Sequence, residues 1–144
     1  MVTALVAIAK MEDKYIEEWL EYNRKIGFDH IYLYMNDWYT PIERDWLTKI
    51  QWNGKVRQMA AYNTWLKTYK TLYDYVAFFD CDEYLCLKKH NSINEFLTEY
   101  GNPNGIAVNW VMFGALCKLT TDSNSLLKEY IYRSPYADRH IKTI

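Results

Sequence analysis

Apolar and polar positions switch between two regimes along this chain. Val2 to Ala9 is a β-branched and Ala-rich run interrupted only by Thr3, the pattern of a parallel strand buried on both faces. Lys10-Met11-Glu12-Asp13 ends it. Asp13 can cap a helix in which Tyr15, Ile16, Trp19, Leu20 and Ile26 recur on one face, with Glu17, Glu18, Glu21 and Arg24 on the other. Gly27 supplies the stop. His30 to Met35 alternates and is rich in β-branched and aromatic residues, giving a second strand that ends at Asn36-Asp37. The right-handed crossover of such a βαβ unit makes the two strands parallel neighbours.

Thr40-Pro41 carries an N-terminal helix signature for Ile42 to Trp52, closed by Asn53-Gly54. Val56 to Met59 reads as a brief strand. Ala60 to Tyr73 reads as a helix with Tyr62, Trp65, Leu66, Tyr69 and Leu72 on its apolar face. Tyr75 to Phe79 is wholly apolar or aromatic, a central strand buried on both faces, and it stops abruptly at Asp80-Cys81-Asp82-Glu83. Leu85 and Leu87 flank Cys86 in a short strand. Asn91-Ser92 caps a helix from Ile93 to Tyr100 with Glu95 at capping-box spacing, residues 101–105 turn, and Ile106 to Val111 is a further strand. Beyond Phe113-Gly114 the pattern weakens: Thr120 to Ser125 is polar loop, Leu126 to Tyr132 fits helix or strand, and Ser134-Pro135 turns. With no repeat or linker, residues 1–144 read as one α/β domain with a mostly parallel sheet.

Composition narrows the partners. Half the residues are hydrophobic and 17% are aromatic, with six Trp and 14 Tyr, so the chain has core material in plenty. The net charge of −1, without a basic stripe interleaved with aromatics, argues against a nucleic-acid surface. Cys81, Cys86 and Cys117 are odd in number and lack zinc spacing, which fits a reducing compartment. The apolar start is too short for a signal peptide and no run reaches membrane-span length. The expectation is a cytoplasmic protein, with peripheral membrane contact left open.

The acids after the fourth strand are the candidate chemistry. In open α/β sheets, ligands bind beyond the carboxyl ends of the strands. Asp80 and Asp82 stand two apart in extended chain and point to one side, two hard oxygen ligands for a cation such as Mg²⁺ or Mn²⁺ that completes its shell on a diphosphate. The spacing alone is weak, since nine Asp give about half an Asp-x-Asp per chain by chance. Position carries the weight: acids after a buried strand are costly unless paired or metal-bound, the other reading being solvated turn carboxylates.

Several stretches resemble glycosyltransferases of the GT-A fold, family-2-like and family-92-like. They are Lys10 to Asp13 with Glu18 to Tyr22, Gly27 to Tyr34, Ala61-Tyr62-Asn63, Phe79 to Glu83, and Asn109 to Gly114, in the order such domains show. The resemblance covers nearly the whole chain. It implies a Rossmann-like sandwich that binds a nucleotide-sugar, a UDP-hexose above all, and transfers the hexose to a carbohydrate or other hydroxyl acceptor with inversion.

Residue by residue, the resemblance implies that Asp82 ligates the metal and that Asp80 contacts the ribose or a metal-bound water; Glu83 either supports them or lies in solvent. Asn36 and Asp37 either read the base or ribose or form a plain turn. Lys10 meets phosphate or sits at the rim, and Tyr62 and Asn63 line the nucleotide pocket or belong to the core. Trp110, Phe113 and Gly114 shape the sugar side or pack the core. Ala115 stands where the family pattern often has Ser. His140 and Lys142 resemble a later segment that approaches metal or diphosphate, making His140 a possible third ligand. His30 and His90 read as structural or solvated.

Inversion needs a carboxylate base, and downstream only Asp122 and Asp138 are Asp residues, neither in a strong motif. The chain ends sooner after Asp82 than such domains do, so it reads as the N-terminal part of one. Two other functions compete: a non-catalytic nucleotide-sugar-binding module, and an interaction domain whose exposed aromatics pair with another chain, a second copy included.

Overall fold

In the computed structural model, residues 1–55, 57–114 and 124–144 are described. Strand β1 (Thr3–Ala9) is the middle of the fold: it pairs in parallel with β2 (His30–Met35) on one side and with β4 (Tyr75–Phe78) on the other, and β3 (Leu47–Gln51) adds to β2, giving the order β3-β2-β1-β4. The pleat of β1 sends Leu5, Ala7 and Ala9 to one face and Ala4 and Val6 to the other. Helices α1 (Ile16–Lys25) and α3 (Ile93–Glu99) cover the first face through Trp19, Leu20, Ile93 and Leu97; α2 (Gln58–Tyr69), continued by a 3₁₀ turn, covers the second through Ala61 and Trp65. The result is a three-layer sandwich with helices on both faces of a parallel sheet.

Local signals account for most of these elements. Ile16, Trp19, Leu20 and Asn23 form the buried stripe of α1, acids lie in its first turn and Arg24 and Lys25 in its last, and Gly27 ends it at φ +104°. Asp13 does not cap it; the Glu12 carbonyl accepts from Tyr15 and Ile16 N–H instead. Ser92 caps α3 by accepting from Glu95 N–H at 3.2 Å, while the Glu95 carboxylate accepts from Asn91 N–H at 2.8 Å.

Four expectations are corrected. Residues 42–52 do not form a helix: Leu47, Thr48, Lys49, Ile50 and Gln51 pair in parallel along the free edge of β2, where Leu47 enters the core. Gln58 and Met59 open α2 rather than end a strand, and Val56 lies outside the described residues. Leu85 to Leu87 is irregular: Leu85 is buried in the core, Leu87 packs against it from a half-buried position, and Cys86 is exposed. The acid-tipped β4 is an edge strand of the four-stranded sheet, and only Ala77 within it is fully buried.

The C-terminal part adds two small antiparallel pairs, β5 (Ala107–Asn109) with β8 (Ile141–Thr143) and β6 (Phe113–Gly114) with β7 (Tyr132–Arg133). One helical turn, α4 (Leu126–Glu129), precedes β7 and is tied to α1 through Glu18, which accepts from Leu126 N–H at 2.8 Å. Strand β8 lies against β4, and Ile144 is buried in the main core. Among the described residues no helix is long and apolar enough to cross a membrane.

Gly27 and Gly114 make a paired test. A Cβ on Gly27 would stand 3.3 Å from Ser92 Cβ on a left-handed backbone, whereas one on Gly114 meets nothing within 4 Å among the described residues. Gly27→Ala should lower unfolding free energy by about 1–2 kcal/mol, and Gly114→Ala by less than about 0.5 kcal/mol, as read by urea denaturation.

Candidate active site

Parallel pairing sets the strand ends side by side. Ala9 pairs with Met35, Asn36 N–H donates to the Ala9 carbonyl at 2.8 Å, and Phe79 N–H donates to Val6 at 3.2 Å. Beyond these ends lies an open cleft of about 390 Å³. Ile8, Ala9 and Lys10 come from the end of β1, Asn36 from β2, Asp80 from β4, and Arg57, Gln58 and Met59 from the entry to α2. Its size and position are those of small-molecule sites in α/β sheets.

The acidic segment is held in a tight turn. Glu83 N–H donates to the Asp80 carbonyl at 3.1 Å, Asp80 N–H donates to Glu83 Oε2 at 2.9 Å, and Trp19 Nε1 reaches across from α1 to the Glu83 carbonyl at 2.9 Å. Cys81 points inward and is buried, its thiol pushed well up by burial and by the surrounding acids. Asp80 is engaged on both oxygens, by Gln58 Nε2 at 2.7 Å and by Lys142 Nζ at 2.9 Å. Lys142 also meets Glu83 at 3.1 Å, and its ammonium pKa is raised: burial works against the charge, and the bonds to Asp80 and Glu83 more than offset it. The Glu83 carboxyl is nevertheless pushed up, chiefly by burial.

Asp82 has a different environment. It is exposed and has no hydrogen-bond or ion-pair partner among the described residues. Glu12, half-buried beyond β1, has its carboxyl raised by burial and then by the charges of Asp82 and Asp13. The charge of Asp82 thus adds to the cost of ionising Glu12 on this side of the loop.

The other candidates separate. Asn36 lines the cleft, but its amide donates to the carbonyls of Trp52 and Gly54, both at 2.8 Å, and Asp37 accepts Gly54 N–H at 3.1 Å, so the pair anchors the 52–54 turn. Tyr62 packs on Phe78 at 4.6 Å and accepts from Gln58 Nε2 at 3.1 Å, while Asn63 is exposed on α2. Trp110 stacks on His140 at 5.3 Å, with Lys142 Nζ 5.7 Å from its ring centroid. His140 Nδ1 and backbone N–H both engage Asp138, whose carboxyl those bonds hold below its usual range; a carboxylate so held is a weak base. Phe113 is exposed, and a Cβ on Gly114 would have no neighbour within 4 Å among the described residues. Asp80, Asp82 and His140 are not assembled as one ligand set, since no group of three or more His, Cys, Asp or Glu among the described residues could hold a metal ion. Asp122, Ala115 and Cys117 lie outside the described residues. Arg57, Gln58 and Glu12 are the additions; a spacing pattern marks none of them, because the fold alone brings them to the strand ends.

A parallel sheet with helices on both faces, a cleft at its carboxyl ends and an acid-tipped strand beside that cleft define a Rossmann-like α/β protein. The sequence model of glycosyltransferase family 92 matches residues 37–133, and the chain belongs to that family, as a glycosyltransferase of the GT-A fold. No curated protein and no solved structure matches it.

Removing the shared cation should leave Asp80 and Glu83 without their common counter-charge. Glu83 has a folded pKa above its unfolded value, so its effect favours the fold below about pH 4.5 and is lost as pH rises through the folded value. Without Lys142 that loss deepens. Lys142→Met should cost little near pH 4 and about 1–2 kcal/mol at pH 7, and a destabilisation independent of pH in denaturant titrations would contradict the pairing.

Proposed function

We propose that the domain binds a nucleotide-sugar, a UDP-hexose, in the cleft at the carboxyl ends of β1, β2 and β4 and transfers the hexose to a saccharide or other hydroxyl acceptor with a divalent metal. The observation that carries this reading is the split within the acidic segment: Asp80 and Glu83 share one cation, Lys142, while Asp82 is exposed and has no ion-pair partner among the described residues, two positions along the chain from Asp80 in the cleft wall.

The donor set fits a hard cation. Mg²⁺ and Mn²⁺ are commonly bound through one or two carboxylates together with substrate phosphates, so a site of three protein ligands is not required. Asp82 would hold the ion. Bound there, the metal supplies neutralisation of the charge that grows on the diphosphate leaving group. Lys10 and Arg57 line the same cleft and bring positive charge to it. Lys142 offsets part of the charge that Asp80 and Glu83 would otherwise bring near the phosphates.

The β5–β8 region suits the acceptor side. Trp110 with His140 forms a flat stack, and Phe113, Tyr132 and Tyr136 are exposed, 52%, 53% and 79% respectively, offering rings to the apolar faces of sugars. Lys142 joins this region to the acidic segment, because it touches Trp110 and Asp80 together.

Calorimetric titration of UDP, with and without Mn²⁺, tests the reading on wild type and Asp82→Ala. The expected outcome is metal-dependent binding that Asp82→Ala weakens by about tenfold or more, equivalent to ~1.4 kcal/mol. Unchanged metal dependence in Asp82→Ala would remove Asp82 from the site. No binding of UDP by wild type in either condition would remove the donor assignment.

A further inference from the structure

The entry to α2 holds a cation in a fixed pose. Arg57 Nε donates to the Asn53 carbonyl at 3.0 Å, its guanidinium lies over Trp52 at 5.6 Å from the ring centroid, and its carbonyl accepts Trp52 Nε1–H at 3.2 Å. Trp52 is itself set edge-on to Tyr34 at 5.3 Å. Gly54 makes room: its φ is +108°, and a Cβ there would come within 3.2 Å of Arg57 Nε. Asn36 and Asp37 pin the same turn from the end of β2.

All this order concerns a guanidinium whose charge meets the face of Trp52 but no carboxylate among the described residues. Of its five N–H donors, only Nε–H has a hydrogen-bond partner among the described residues, and no carboxylate pairs with it there. The first turn of α2 contains no acid, and no side chain caps it. Arg57 lines the cleft together with Lys10 and Asp80. A guanidinium fixed through Nε and one face presents its Nη edge as a planar fork, the geometry that matches phosphate oxygens.

We infer that Arg57 binds the diphosphate of the nucleotide donor through its Nη edge, and that the Trp52–Gly54 turn exists to hold it in that orientation. The inference rests on the donor-cleft reading above and adds to it the residue that recognises phosphate rather than base or sugar. Packing alone would explain the stack on Trp52 but would give no dependence on the charge of the ligand.

The test titrates UDP, inorganic diphosphate and uridine into wild type, Arg57→Gln and Arg57→Lys with Mn²⁺ present, beside thermal melts of each. Arg57→Gln is expected to bind UDP and inorganic diphosphate about tenfold more weakly, to bind uridine as wild type does, and to melt cooperatively. Arg57→Lys, which keeps the charge but not the fork, should recover part of the loss. If Arg57→Gln binds UDP as tightly as wild type, the assignment of Arg57 falls and the donor cleft stands. An equal loss for uridine would make Arg57 structural and overturn the assignment as well. A wild type that binds none of the three probes overturns both readings.

Discussion

Everything chemical in this domain depends on three parallel strands ending side by side. β1 is paired on both edges and covered on both faces, and its side chains are buried from Thr3 to Ala7, so it meets the cleft only at its end, through Ile8, Ala9 and Lys10. β2 stops at the same level, and β4 runs on into the acids. A sheet buried in this way can display polar groups only where its strands stop. The cleft therefore collects residues from positions 8 to 80 that have no local relation to one another.

Within that frame, neighbours give the acids different states. Lys142 arrives from β8 and bridges Asp80 and Glu83, Gln58 takes the other oxygen of Asp80, and Trp19 fixes the Glu83 carbonyl from beneath. Asp82 is left to face outward beside Glu12. Two carboxylates that share one cation thus set the shape of the turn, and a third, Asp82, stands exposed outside it. The same lysine contacts Trp110, so the strand that brings the counter-charge also brings the aromatic surface up to the cleft. Membership of glycosyltransferase family 92 and the placement of this cleft are consistent with each other, since transfer from an activated donor needs a site where negative charge can build and be balanced.

The sequence was most legible where one face or both faces of an element are buried. β1, α1, β2, the acid-tipped strand and the Ser92 cap all carry strong local patterns, and they stand within a residue or two of where those patterns place them. Residues 42–52 mislead because Ile42, Trp46, Leu47 and Ile50 also fit helical spacing, and Thr40-Pro41 looks like a helix start; the free edge of β2 decides for a strand, which is a tertiary effect. β4 reads as central from its hydrophobicity, but Tyr75, Val76 and Phe78 are only half-buried at the sheet edge. The site was legible in its acids and in Lys10, and less so in its other cations. Lys142 sits 62 residues from Asp80 and was visible only through the family resemblance, while Arg57 lay inside an expected strand. No local spacing encodes such pairings.

Amide chemical-shift mapping of the ¹⁵N-labelled chain with UDP and Mg²⁺ tests most directly whether the donor lies in this cleft. The predicted result is that the largest changes fall on Lys10, Asn36, Gln58, Asp80 and Asp82, the residues at and beside the strand ends. Changes confined to other parts of the surface, with those five amides unmoved at saturation, would contradict it.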